Sequence, residues 1–252
     1  MQSNISLKRW TPSAISPTST VLLCAQRNAG KSTLLFDICY NLRHKVDSFI
    51  VFCPTALSSR RYMNCFPRCF VYLKFDPKKI EEILNRQKKQ IAKGRAKTVM
   101  LLLDDCIFAK KMFNTEVIRE VFLNGRHYKT GCILTSQYAL ALPTIIRSNL
   151  DVVISLSENI FQNRKRLHNA YFGVFNEFAV FQKVLQMATN KYGCLVYVHG
   201  SSHNIADCIF HYRANANLPY AKLGAPVYFD LSERYFKTSS SASGSTPAVL
   251  LK

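Results

Sequence analysis

Apolar residues in this chain gather into short dense runs, separated by longer stretches where apolar and polar positions recur at helical spacing. The runs fall at residues 20–25, 48–53, 69–75, 98–103, 131–135 and 151–156. Helical patterning occupies 31–43, 77–93, 114–123 and 140–147, and 158–190 reads as a longer helical region. Two further runs, 193–199 and 206–212, predict a hairpin about a polar turn at 199–204. Parallel strands need crossover connections, and helices on those crossovers bury both faces of the sheet, so the strands read as continuous apolar runs. The expected fold class is therefore α/β, a mainly parallel sheet with helices on both faces. No internal repeat interrupts the pattern.

Composition narrows this. With 252 residues, 48% hydrophobic and only 19% charged, the chain can bury a sizeable core and is no disordered polyelectrolyte. No apolar run approaches the roughly 18 residues a membrane span needs, and MQSNISLKRW lacks the apolar stretch of a secretory signal. A soluble protein without a membrane span is expected. The charge is lopsided: 34 Lys and Arg against 15 Asp and Glu give +19. Such an excess points to a polyanionic partner, nucleic acid first, with anionic membranes and ribosomes as the other choices. Nine cysteines, an odd number without a CxxC, mostly lie in apolar runs. Reduced thiols behave there as small hydrophobes, so an intracellular reducing compartment is expected.

The first chemical motif follows the first strong run. Ala25-Gln-Arg-Asn28-Ala29-Gly30-Lys31-Ser32-Thr33 opens a helical stretch and matches the phosphate-loop pattern G-x-x-x-x-G-K-[ST], with Ala25 at the first glycine. A loop between strand and helix turns backbone N–H groups inward, and the helix N-terminus adds partial positive charge. Asn28 to Thr33 are thus the candidate nucleotide-binding residues. Gly30 permits close approach of the phosphates, Lys31 neutralises the β and γ oxygens, and Ser32 holds Mg²⁺. Lys31 is expected to be partly exposed.

A second apolar run ends in Asp104-Asp105. In phosphate-loop enzymes the first such acid organises the Mg²⁺ shell, and a second can orient or deprotonate the attacking water. A further run at 48–53 between loop and acids selects the branch with a catalytic carboxylate, which contains RecA-like motors. No NKxD guanine-reading motif is present. The 131–135 run leads into Ser136-Gln137, and Gln137 at that strand tip is placed to sense the γ-phosphate. Should Asp105 not act as base, Glu116 and Glu120 are the nearest acidic alternatives in sequence.

The series AQRNAGKST, VMLLLDDC, NGRHYKTGCILTSQY and LPTIIRSNLDVVISL resembles the genome-packaging ATPases of large double-stranded DNA viruses, poxvirus-like members of the FtsK/HerA group of DNA translocases. The similarity covers roughly residues 18–215 and is most specific at Gly125-Arg126-His127-Tyr128 running into TSQY. The resemblance implies a RecA-like P-loop ATPase domain over 18–215, ATP and Mg²⁺ as cofactors, a homo-oligomeric ring, and sequence-independent movement of double-stranded DNA into a capsid. A capsid or portal-vertex protein is the implied further partner. Host cytoplasm or nucleus at virus assembly sites, or the virion, is the implied location. Residues 1–17 would be a flank, and 216–252 an extension ending in a disordered Ser/Gly-rich tail. Two departures stand out: Ala25 for glycine, and Asp-Asp for Asp-Glu.

Ring ATPases need a positive charge from a neighbouring subunit at the transition state. Arg147, Arg126 and, behind them, Arg119 are the candidates, with no choice fixed between the first two. Basic clusters at 78–97 and Arg164-Lys165-Arg166 are candidate phosphate-backbone contacts. Cys194, His199, His203 and Cys208 raise a zinc reading, but their spacing fits two strands and a turn better. Two rival functions remain: a nucleoside or nucleotide kinase, and a basic DNA-binding structural protein with a vestigial phosphate loop.

Overall fold

The computed structural model describes residues 7–106, 112–138, 142–200 and 204–239. Its strands are β1 (Lys8–Arg9), β2 (Thr20–Cys24), β3 (Ser48–Phe52), β4 (Val71–Tyr72), β5 (Val99–Leu103), β6 (Thr130–Ser136), β7 (Val152–Ser155), β8 (Gly193–Val198) and β9 (Ile209–Arg213). They form one sheet in the order β1-β9-β8-β7-β2-β6-β5-β3-β4. From β7 to β4 the pairs are parallel, while β8 runs antiparallel to both β7 and β9. The α/β expectation is met. β6 lies between β2 and β5, so a strand does separate the two that carry the phosphate loop and the acids, but it is not the expected one: the run at 48–53 forms β3, on the far side of β5.

Every residue of β2, β3, β5 and β6 is buried, because side chains alternate between two covered faces. On one face Val21, Leu23, Val51 and Leu102 pack under Leu34, Leu35, Ile38 and Leu42 of α1 (Lys31–Leu42). On the other, Leu22, Leu101 and Leu134 meet Ile80 and Leu84 of α3 (Pro77–Ala92) and Ile118 and Phe122 of α4 (Glu116–Asn124). Each such side chain removed from water contributes about 1.5–3 kcal/mol, so Leu22→Ala would cost roughly 2–5 kcal/mol. α3 starts where expected because Asp76 Oδ1 accepts from the Lys78 N–H at 3.0 Å, with Pro77 in the first turn.

Several elements differ from the sequence pattern. The 69–75 run yields only a 3₁₀ turn and the two-residue β4, because Pro67 bends the chain just before it. The 158–190 region is two helices, α6 (Phe161–Tyr171) and α7 (Phe178–Ala188), broken around Gly173. The hairpin is present, but Ile205–Cys208 forms a helical turn, α8, rather than the start of β9; α5 (Thr144–Arg147) precedes β7. Of the helical pattern expected at 140–147, Thr144–Arg147 form α5, while 140–141 lie outside the described residues, as does the turn residue His203. Of the tail expected to be disordered, residues 237–239 end the last helix, and the residues from 240 lie outside the described ones.

Two helices carry no sequence expectation: α2 (Ala56–Cys65) and α9 (Pro226–Ser239). The flanks join the body of the fold. Lys8 and Arg9 pair with β9, and Trp10 is buried edge-on to Tyr212 at 5.7 Å. Ser232 of α9 accepts the Cys69 N–H at 3.2 Å. Among the described residues no helix is long and apolar enough to cross a membrane.

Candidate nucleotide site

The loop after β2 is shaped by two left-handed residues, Asn28 (φ 61°) and Gly30 (φ 97°). Asparagine tolerates this region and glycine enters it freely. Ala25 keeps a negative φ and simply continues the ladder, its N–H donating to Ser136 O at 3.0 Å. Glycine is therefore not required there, which accounts for the departure at the motif's first position. Gly30 caps α1 without any side-chain hydrogen bond, and no acid occupies the first turn. The N–H groups and positive end of the helix dipole are left for an anion.

β5 delivers the acids. Asp104 is 1% exposed, and both carboxylate oxygens accept hydrogen bonds: Oδ1 from Thr135 Oγ1 at 2.7 Å, Oδ2 from the Tyr62 hydroxyl at 2.8 Å. Asp105 leaves the strand at φ 52°, and its N–H donates to the same Thr135 hydroxyl at 3.0 Å. One side chain on β6 thus fixes both acids. Lys31 Nζ lies 3.8 Å from Asp104 Oδ1 and bonds directly to Asp105, which also accepts from Gln137 Nε2 at 3.2 Å. Lys31 is partly exposed, as expected, though only 11% of its side chain is, because the two carboxylates draw it inward.

Burial, and then the neighbouring Asp104 carboxylate, push the Tyr62 hydroxyl well above its ordinary pKa, so it remains a donor. Burial likewise drives the Cys53 thiol, 3.9 Å from Asp104 Oδ2, up to about 11. Tyr62 and Thr135 were not singled out in the sequence. Tyr62 lies on α2, and the only signal for Thr135 is a hydroxyl at the tip of an apolar strand.

Around these groups opens a cleft of about 800 Å³. Asn28, Gly30, Lys31, Ser32, Thr33, Asp105 and Gln137 line it, together with Lys191, Tyr192 and Arg213. Ala29 is buried beneath the loop and Asp104 behind Asp105. The structure brings most of the candidate residues together, with two exceptions. Arg126 precedes β6, at the opposite end of the strands, and pairs with Asp151 at 3.3 Å. Arg147 ends α5, with its guanidinium donating to Thr144 Oγ1 at 2.9 Å. Neither lines the cleft of its own chain. Of the alternative bases, Glu120 pairs with Lys88 at 2.6 Å, and neither it nor Glu116 lines the cleft.

The donor set fits a nucleotide with Mg²⁺. An uncapped helix N-terminus and Lys31 suit phosphate, while the Ser32 hydroxyl and Asp104 carboxylate supply the oxygen ligands or water acceptors that Mg²⁺ prefers. Cys194 and Cys208 offer no shared metal site, since they pack into the layers on opposite faces of the sheet.

A phosphate loop on β2, an acid pair on β5 and an intervening β6 define the fold of P-loop NTPases, with the expected RecA-like, mainly parallel core. The fold matches that of the genome-packaging NTPase B204 of Sulfolobus turreted icosahedral virus 2, solved with AMPPCP, with a TM-score of 0.59. That match is 18% identical and covers 79% of this chain and 99% of B204. In sequence, the chain is 30% identical over 196 residues to the uncharacterized protein 075L of Invertebrate iridescent virus 6, covering 77% of this chain and 75% of that one. It is 29% identical over 228 residues to protein L437 of Acanthamoeba polyphaga mimivirus, covering 86% and 79%. The chain belongs to the family of large-DNA-virus proteins that includes 075L. No family model matches it.

Proposed function

We propose that this protein is an Mg²⁺-dependent ATPase that moves double-stranded DNA into a viral capsid as a homo-oligomeric ring. The observation that carries the reading is Lys31 held between Asp104 and Asp105 at the mouth of a phosphate loop, with Gln137 on Asp105. Incoming phosphates compete with Asp105 for Lys31. As Lys31 turns to the β and γ oxygens, Asp105 is released to accept a proton from the attacking water, and the Gln137 amide orients that water. Ser32 and Asp104 would hold Mg²⁺, which when bound neutralises charge developing on the phosphoryl oxygens. Thr135 and Tyr62 hold the Asp104 carboxylate in its aim.

The +19 charge supports a DNA partner, and the likeness to B204 supports packaging. Part of the basic surface is already committed: Lys79 pairs with Glu82, Lys88 with Glu120, and Arg164 donates to the Glu158 and Asn159 carbonyls. Exposed Lys78, Lys89, Lys93 and Lys97 are the better phosphate-backbone contacts. Arg147 or Arg126 would enter a neighbour's site, and Arg147 has no carboxylate partner among the described residues to surrender. A capsid or portal-vertex protein would be the docking partner, at assembly sites in host cytoplasm or nucleus, or on the virion.

The test is the ATPase rate with and without duplex DNA, alongside mass by size exclusion. DNA-stimulated hydrolysis by an oligomer supports the proposal. Phosphate transfer to a small acceptor by a DNA-indifferent monomer would indicate a kinase, and DNA binding without hydrolysis a vestigial loop.

A further inference from the structure

Between α7 and β8 the chain makes a tight return in which two consecutive non-glycine residues, Lys191 (φ 50°) and Tyr192 (φ 63°), adopt left-handed backbone. The cause is local. A β-carbon on Gly193 would lie 2.1 Å from the Ala188 carbonyl oxygen, so the strand must start hard against the helix end. Such strain is ordinarily offset by packing of the side chains concerned. Here burial does little of this, because Tyr192 is 73% exposed as a residue.

The ring nevertheless has a defined position. Its Cδ1 lies 3.6 Å from where a β-carbon on Gly30 would stand, so it abuts the turn of the phosphate loop. Of the large apolar side chains exposed among the described residues, Tyr192 alone lines the cleft. Lys191 and Arg213 line the same wall, and Gly193 and Arg213 are partners in the β8–β9 ladder. The Arg213 guanidinium donates to Asn190 O at 3.3 Å and ties the return to the sheet. A cleft of about 800 Å³ is of the size that takes a whole small-molecule ligand, beyond the phosphates the loop can hold.

We infer that Tyr192 is the platform on which the nucleobase of a bound nucleoside triphosphate stacks, with Lys191 and Arg213 beside its ribose and phosphates. This rests on the phosphate-loop reading of the same cleft. An aromatic face exposed at a fixed position binds any base through its π surface, purines better than pyrimidines, without hydrogen-bond readout. The left-handed return then has a use: it holds the ring over the loop instead of letting it fold onto α7. The site selects for a nucleotide over bare polyphosphate and discriminates weakly among bases.

The test compares ATP with inorganic tripolyphosphate, which shares the phosphates but has no base, by calorimetric titration of the full chain. Tyr192→Ala is expected to weaken ATP binding about 5- to 150-fold, the range that loss of base–aromatic stacking gives. Tripolyphosphate binding should stay within twofold, and Tyr192→Phe should retain ATP affinity. Lys31→Ala, in the same series, should lose both ligands. Unchanged ATP affinity in Tyr192→Ala overturns the subsite and leaves the phosphate loop standing. Equal loss of both ligands also overturns it, since the residue would then only shape the loop. If the parental protein binds neither ligand, the phosphate-loop reading fails and the subsite falls with it.

Discussion

The Tyr62 hydroxyl donates to Asp104 Oδ2 at 2.8 Å, with both residues 1% exposed. Through this bond α2 reaches under the nucleotide cleft and holds the acid from the side opposite Thr135. The same ring stacks on Phe36 of α1 at 5.0 Å. The helix that presents the phosphate loop and the strand that presents the acids are therefore joined through one tyrosine.

Tyr62→Phe preserves the stack and removes only the donor. The buried Asp104 Oδ2 then keeps only the weak Cys53 thiol donor at 3.9 Å, and losing the hydroxyl costs about 1–3 kcal/mol, so the urea midpoint should fall accordingly. ATP turnover should drop while ATP affinity changes little, because Asp104 loses aim rather than the site losing phosphate contacts. Unchanged stability and turnover would mean the hydroxyl is a bystander.

Lys31→Ala should abolish ATP binding, but with a structural cost that the motif alone does not suggest. Lys31 lies between two carboxylates with only 11% of its side chain exposed, so its removal leaves uncompensated negative charge. A loss of about 1–3 kcal/mol is expected, and Lys31→Ala combined with Asp105→Asn should recover much of it. Equilibrium unfolding of the two variants reads this directly. A double variant no more stable than Lys31→Ala would place the loss in packing instead.

Much of this was legible in the sequence. Fully buried strands such as VLLC and VMLLL announce themselves by dense apolar runs, and the loop and acids sit at strand tips where the pattern ends. The position of β6 between β2 and β5 could not be read from chain order, because β6 follows both in the chain, while the run at 48–53 became β3 on the far side of β5. α2 escaped because ALSSRRYMNC places Ser-Ser-Arg-Arg where an apolar stripe would be. With it went Tyr62, 42 residues from the acid it serves. Tyr192 was missed for a different reason: it follows a helix and precedes a glycine, and nothing local marks the loop it faces. Charge counting also overstated the free basic surface, because several lysines and arginines are spent on intramolecular partners.

All nine cysteines are free, and Cys65 alone is other than buried. Burial drives Cys24 up to about 12 and Cys53 up to about 11, so neither forms appreciable thiolate near pH 8. Alkylation of the native protein at pH 8 should modify Cys65 first, and the other eight only as the chain unfolds. Mass mapping after brief iodoacetamide treatment checks this. Rapid modification of Cys53 would show that the packing around Asp104 opens to solvent in the native protein.

In the proposed mechanism Asp105 activates the water that attacks the terminal phosphate of ATP. Asparagine is nearly isosteric and still meets Gln137 and the Thr135 hydroxyl, but it cannot take a proton, and it frees Lys31 for phosphate. Single-turnover hydrolysis by Asp105→Asn, measured beside ATP affinity, tests this most directly. Affinity should be retained or raised, while the hydrolytic rate should fall at least about 100-fold, the lower end of what a positioned general base contributes. Hydrolysis near the parental rate with normal affinity would contradict the assignment of Asp105 and the chemistry built on it.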